Sequence, residues 1–192
     1  MPPVVNVTGV VLAGGKSSRF GENKAFVPFR GVPVIKRVIE VLKKSFSEIL
    51  IVTNTPEQYG GLGLPVVKDI TPDQGPLGGI VTAFRNTGND RIFVVGCDMP
   101  ILDAPTIEKI IAMDRDVEAA IPVHDGIREY LMALYSRRLL PWMGCCLAEG
   151  KLSLHSFFDH LSNVVWIPVE GISWFNVNTT KDLEFLEKNH AD

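Results

Sequence analysis

The sequence predicts an α/β domain built on a mostly parallel, twisted sheet flanked by helices. Over the first 115 residues, apolar strand-like runs alternate with segments of helical period, the pattern of βαβ units. The runs at 4–12, 48–53 and 91–96 are β-branched and almost continuously apolar, as strands buried on both faces are. Three segments rich in glycine and charge, 12–24, 69–79 and 96–100, each follow a strand. With parallel strands and right-handed crossovers, these segments meet at one edge of the sheet, where open α/β sheets bind ligands.

Each element has its own signal. Val4 to Leu12 reads as the first buried strand, and Phe26 to Pro33 as a short extended piece closed by a turn. Pro33 suits a first helical turn, where its missing N–H is harmless. Residues 34–44 carry Val34, Ile35, Val38, Ile39, Val41 and Leu42 on one side and Lys36, Arg37, Glu40, Lys43 and Lys44 on the other, an amphipathic helix ending in cations that suit its dipole. Glu48 to Thr53 is a strand broken at Asn54-Thr55-Pro56, and Leu64 to Val67 is a short one. Leu77-Gly78-Gly79 opens a helix with Ile80, Val81, Ala83 and Phe84 inward. Arg91 to Gly96 is the most apolar strand, followed by a helix over about 104–113 with Asp103 as N-cap. Beyond it, Ala119 to Val123 and Tyr130 to Tyr135 read as strands flanking His124-Asp125-Gly126, Leu139 to Glu149 as a helix, and Val164 to Val169 as a strand. Thr179 and Asp182 form a capping box before a last helix.

Composition narrows the function. The 192 residues are enough for one domain with a full core. A net charge of -3 excludes a broad basic surface for nucleic acid while leaving room for a local phosphate site. Cys97, Cys145 and Cys146 are an odd number without metal-ligand spacing, which argues against a disulfide framework and for a reducing, cytoplasmic setting. No apolar run approaches the roughly 20 residues of a membrane span, and no signal-peptide pattern opens the chain.

The chemistry concentrates in Leu12-Ala13-Gly14-Gly15-Lys16-Ser17-Ser18-Arg19-Phe20-Gly21-Glu22-Asn23-Lys24. Adjacent glycines at a strand end let a ligand approach backbone N–H groups, successive loop amides form an anion-binding concavity, and Arg19 and Lys24 add positive charge. This is a phosphate cradle, set against the simpler reading of a glycine-rich loop with two solvated cations. A P-loop is excluded because Val10 stands where its first glycine belongs. A dinucleotide fingerprint is excluded because the glycines are adjacent. Gly78, at the expected start of a helix, permits close approach of an anion or ring. Asp98, two residues beyond a central strand, is the candidate metal ligand, since hard cations choose carboxylate and phosphate oxygen; its alternative role is to cap the turn before Pro100. Asn176 and Asn178 either bond a substrate or shape the turn.

The pattern L-A-G-G-x-S-S-R-x-G-x-x-K resembles the signature loop of nucleotidyltransferases. With Asp69 to Gly79, Gly96 to Pro100 and Asn176 to Thr179 added, nearly the whole chain resembles the molybdenum cofactor guanylyltransferases (the molybdopterin-guanine dinucleotide biosynthesis protein A family). The resemblance implies a single Rossmann-like nucleotidyltransferase domain, with 1–115 as the nucleotide-binding half and 116–192 as the acceptor-binding half, that transfers GMP from GTP to molybdopterin with release of pyrophosphate. It further implies Mg²⁺ as cofactor, with Mn²⁺ as an alternative, and hand-over of a labile product to other cofactor-biosynthesis proteins. Carried over by position, Leu12, Ala13 and Gly14 contact GTP, with Gly15 beside them. Lys24 contacts the phosphates, and Arg19 joins it in holding the leaving pyrophosphate. Asn54 (or its neighbour Thr53) contacts the nucleotide, Asp69 contacts its base or ribose or else stands behind the metal, Asp98 holds both nucleotide and metal, and Asn176 and Asn178 lie on the acceptor side. The sequence departs from the family at Phe20, at Gly96-Cys97, and at Glu129-Tyr130-Leu131, where the family often has Gln-Pro-Leu. Rival readings are a molybdenum cofactor cytidylyltransferase, another small-molecule nucleotidyltransferase, and a nucleotide-binding regulator without catalysis.

Overall fold

A computed structural model describes residues 4–14, 23–70, 72–113, 116–171 and 175–189. The strands are β1 (Val4–Leu12), β2 (Pro28–Phe29), β3 (Val32–Pro33), β4 (Phe46–Thr53), β5 (Val66–Lys68), β6 (Arg91–Gly96), β7 (Ala119–His124), β8 (Ile127–Arg128), β9 (Met132–Ser136) and β10 (Val164–Pro168). The α-helices are α1 (Val34–Ser45), α2 (Gly75–Arg85), α3 (Ala104–Ile111), α4 (Leu140–Ala148), α5 (Leu154–Phe158) and α6 (Thr180–Asn189).

The main sheet runs β10-β7-β9-β6-β1-β4-β5, with β8 paired to β7. From β6 to β5 every ladder is parallel, as the alternation in the first half requires. The second half adds β9 antiparallel to both β6 and β7, and then β10 parallel to β7. Side chains alternate across each central strand. Val7, Val11, Ile49, Ile51, Phe93 and Val95 face a core closed by α1 and α3. Val10, Leu50, Val52, Ile92 and Val94 face a second core closed by α2, α4 and α5. The strands are continuously apolar because both faces are covered. A smaller cluster joins Val27, Phe29 and Val34 to Val177, Leu183 and Leu186, seating α6 beside the start of α1.

Local chemistry sets the joints. Arg30 and Gly31 (φ 50° and 75°) close the β2–β3 hairpin, and Asp125 and Gly126 (φ 47° and 79°) close β7–β8, the left-handed pairs that two-residue hairpins favour. Asp103 accepts from the Thr106 amide at 2.8 Å to cap α3. Asp182 accepts from the amides of Asn178 and Thr179 at 2.8 and 2.7 Å to open α6. Some boundaries depart from expectation. Pro33 precedes α1 as its N-cap, β4 begins at Phe46, and β5 starts two residues later than the apolar run does. The short helix α5 has no counterpart in the sequence reading; Ser153 caps it by accepting from the Ser156 amide.

Candidate active site

Because β1, β4, β5 and β6 are parallel, their C-terminal ends open on one edge. A cavity of about 790 Å³ lies there, bounded by Leu12, Gly14, Lys24, Asn54, Asp69 and Asp98 among others. Described residues from each of the three segments singled out in the sequence therefore converge. A side cavity of about 360 Å³ shares Gly14, Lys24, Thr53 and Asn54 with it, and adds Ala13, Gln58 and Tyr59. Gly15 and Arg19 lie outside the described residues.

Lys24 opens a 3-10 turn whose cap is Asn23, which accepts from the Ala25 amide at 3.1 Å. The Asn23 amide nitrogen donates to the Tyr59 hydroxyl at 2.9 Å and to Gln58 at 2.6 Å, and Tyr59 in turn donates to the Ala13 carbonyl at 3.3 Å. Burial raises the Tyr59 phenol above its ordinary pKa, so it stays a neutral donor. This chain of bonds ties the exit of the cradle to the tip of β1. Lys24 Nζ forms an ion pair with Asp98 Oδ2, both side chains being largely buried.

Asp98 is held by its backbone: Cys97 N donates to the Leu12 carbonyl at 3.2 Å, and the Asp98 carbonyl accepts from Val177 N at 2.8 Å. A Cβ on Gly96 would lie 2.5 Å from Asp98 Oδ1, so only glycine leaves room for this carboxylate to turn over the strand tip. Cys97 is fully buried, and that burial, with Asp98 adding to it, pushes its thiol up to about 12. It is therefore no nucleophile at neutral pH.

Asp69 Oδ1 accepts from the Thr82 hydroxyl at 2.7 Å, and Thr82 Oγ1 accepts from Ile70 N at 3.2 Å. A buried threonine of α2 thus aims the carboxylate at the end of β5. The expected helix start at Leu77 needs correction. Helix α2 begins at Gly75, so Gly78 stands inside it, buried, with its N–H donated to the Gln74 carbonyl at 3.4 Å. Its amide is spent on the helix, and the wall of the large cavity is made by Gly75, Pro76 and Gly79. A Cβ on Gly79 would meet Leu12 Cδ2 at 3.0 Å, which makes this glycine a contact between helix and strand. Gly75 takes φ 60° just after Asp73 takes φ 63°; this reversal, invisible to hydrophobic periodicity, moved the helix start.

The two asparagines divide. Asn176 is half-buried with Nδ2 3.5 Å from Glu129 Oε2, and its Oδ1 lies 3.9 Å from the position of a Cβ on Gly96. Asn178 is exposed, and its backbone N–H belongs to the α6 cap. Glu129 also meets His124 Nε2 at 3.4 Å. Burial raises the Glu129 carboxyl, against the hydrogen bond from His124, and the negative Asp98 adds to the rise. Glu129, His124, Tyr59 and Thr82 were missed as site residues. For Glu129 the available signal was the departure at 129–131; His124 and Thr82, single polar residues on apolar elements, and Tyr59, one aromatic in a loop, gave none.

Among the described residues, no group of three or more His, Cys, Asp and Glu side chains could hold a metal ion. Asp98 Oδ1 and Asn176 Oδ1 border the same small space over Gly96. One carboxylate and one amide oxygen fit Mg²⁺ or Mn²⁺, which bind through a carboxylate or two plus substrate phosphates. No described helix is long and apolar enough to cross a membrane, and the three cysteines are free thiols.

Comparison with known proteins follows the same lines. Residues 9–164 match the family model described as a MobA-like NTP transferase domain. A probable molybdenum cofactor guanylyltransferase of Clostridium perfringens is 39% identical, covering 96% of this chain and 98% of its own. One from Carboxydothermus hydrogenoformans is 35% identical, covering 95% and 96%. The crystal structure of molybdopterin-guanine dinucleotide biosynthesis protein A from Archaeoglobus fulgidus superposes with a TM-score of 0.77 at 27% identity, over 94% of this chain and 97% of that one.

Proposed function

The chain belongs to the MobA-like NTP transferase family, and from that premise we propose that it transfers GMP from GTP to the terminal phosphate of molybdopterin, releasing pyrophosphate. The observation that carries this reading is the Lys24–Asp98 pair lining a glycine-walled cavity of about 790 Å³. The names of relatives at 35% and 39% identity support the guanine and pterin specificity.

In this reading a terminal phosphate oxygen of the acceptor bonds to the α-phosphorus of GTP, and the bond from that phosphorus to the bridging oxygen of the leaving pyrophosphate breaks. No side chain is needed as nucleophile, because such transfers rest on positioning and charge stabilisation. Leu12, Ala13 and Gly14 bring backbone close to the nucleotide, Gly15 is assigned to the same contact from the sequence alone, and Asn54 and Asp69 lie at its rim. Lys24 and Arg19 neutralise the leaving pyrophosphate, Lys24 exchanging its carboxylate partner for phosphate oxygen. Asp98, with Asn176 beside it, holds the divalent cation. When bound, Mg²⁺ (or Mn²⁺) withdraws charge from the α-phosphate and orients it for in-line attack. Residues 1–115 form the nucleotide half, and 116–192, with Asn176 and Asn178, the acceptor half. Three free thiols suit a reducing cytoplasm, and the labile product suits delivery to other cofactor-biosynthesis proteins.

The test is pyrophosphate release by the purified protein with Mg²⁺, comparing GTP with CTP, with and without molybdopterin. Release that requires GTP and the pterin together supports the proposal, with Asp98→Asn lowering kcat/KM by about 10²–10³-fold, the loss typical of removing one preorganised charge-stabilising group. Release with CTP reassigns the protein to cytidylyl transfer. Nucleotide binding with no turnover on active acceptor points to a regulator.

A further inference from the structure

The Glu129–Asn176 contact joins residues 47 positions apart, and Asn176 shares the space over Gly96 with the carboxylate assigned to the cation. We propose that Glu129 is a positioning residue that orients the Asn176 amide, so that its oxygen and Asp98 together seat the divalent cation; this rests on the nucleotidyl-transfer reading above.

The argument starts from hydrogen-bond capacity. An ionised carboxylate only accepts, whereas a primary amide has one end that donates and one that accepts. Glu129 Oε2 faces the Asn176 side chain at 3.5 Å, so as a carboxylate it takes the NH₂ end, and the Oδ1 end must turn away from it. That oxygen turns toward the tip of β6, 3.9 Å from the position of a Cβ on Gly96, while Asp98 Oδ1 lies 2.5 Å from the same position. Both oxygens therefore border a space that exists because residue 96 has no side chain.

Glu129 is itself held in place. His124, buried at the end of β7, lies with Nε2 3.4 Å from the other oxygen, Oε1. The Glu129 amide donates to the Pro122 carbonyl at 3.0 Å, fixing its backbone against β7. Asn176 is anchored through its neighbour, Val177 N donating to the Asp98 carbonyl at 2.8 Å. The residue that follows β8 and the segment before α6 thus meet, and the second of them is bonded to Asp98. A neutral glutamine at 129, as the related family often has, carries both a donor and an acceptor, and does not by itself dictate which way Asn176 faces. In this chain the negative charge does. Groups that orient ligands to a metal are worth about 10–100-fold in metal affinity.

The test is a double-mutant cycle read by Mn²⁺ binding to the protein–GTP complex, with free Mn²⁺ followed by electron paramagnetic resonance and no acceptor present. The variants are Glu129→Gln, Asn176→Ala and the pair, with Asn176→Ser replacing alanine if that variant does not fold. We expect Glu129→Gln alone to raise the Mn²⁺ Kd by about 10-fold. In the Asn176→Ala background the same change should shift Kd by less than about twofold, the signature of action through one partner. An equal effect in both backgrounds, or none in the wild-type background, overturns the inference while leaving the transferase reading intact. A wild-type complex that takes up GTP but no Mn²⁺ overturns the transferase reading, and this inference with it.

Discussion

At Gly96 a missing side chain does the structural work. Asp98 Oδ1 occupies a point 2.5 Å from where a Cβ would stand, closer than any carbon and oxygen can approach without bonding. Gly96→Ala should therefore push the carboxylate aside by about 1 Å, a displacement of the size that costs about 100-fold in rate. Thermal unfolding together with kcat/KM checks this: the predicted result is a Tm within a few degrees of wild type and activity reduced by that factor. The neighbouring Cys97 makes a contrasting case. Its thiol is buried and pushed up to about 12, so almost no thiolate exists at pH 8; because the shift is upward, raising the pH toward that value would be needed to ionise it. Cys146 is also buried, whereas Cys145 is exposed. A disulfide reagent at pH 8 should titrate one thiol quickly in the folded protein and all three after denaturation. Rapid reaction of Cys97 would refute the burial argument.

Among the elements, the joints govern how the cradle is presented. Tyr59 lies in the connection between β4 and β5, yet its hydroxyl links the Ala13 carbonyl at the end of β1 to Asn23 at the start of the Lys24 turn. Tyr59→Phe removes these bonds and leaves a buried carbonyl without this donor. Equilibrium denaturation should show a loss of about 0.5–1.5 kcal/mol, and because the Lys24 turn loosens, KM for GTP should rise while kcat changes less. An unchanged KM would mean that the turn is held by its own backbone alone. Helix α2 shows the same dependence on joints. Gly75 and Asp73 reverse the chain through positive φ, which starts the helix early and places Gly78 inside it. Thr82, one turn further along, is spent on Asp69 and Ile70.

On the scale of the whole molecule, two apolar cores press on one sheet, and the site at its edge inherits their rigidity. Phe93 is fully buried and stacks on Phe46 with ring centroids 5.5 Å apart, while Gly9 lets Phe46 lie against β1. Phe93→Ala should cost about 3–5 kcal/mol, a large part of the roughly 5–15 kcal/mol that holds a domain folded; a denaturation midpoint that barely moves would show that the cavity collapses. Much of this plan was legible in the residues. Continuous apolar runs at β1, β4 and β6 meant strands covered on both faces, and the helical period of 34–44 meant a covering helix, because burial and periodicity are local properties of the chain. The parallel order then implied that 12–24, 69–79 and 96–100 share an edge. Other features depended on contacts distant in sequence. The insertion of β9 antiparallel beside β6, the start of α2 at Gly75, and the meeting of Glu129 with Asn176, 47 positions apart, carry no local signature. Hydrophobic pattern determines which faces are buried and so which strand ends come together. The direction in which a polar side chain points once there is set by partners that only the folded chain supplies.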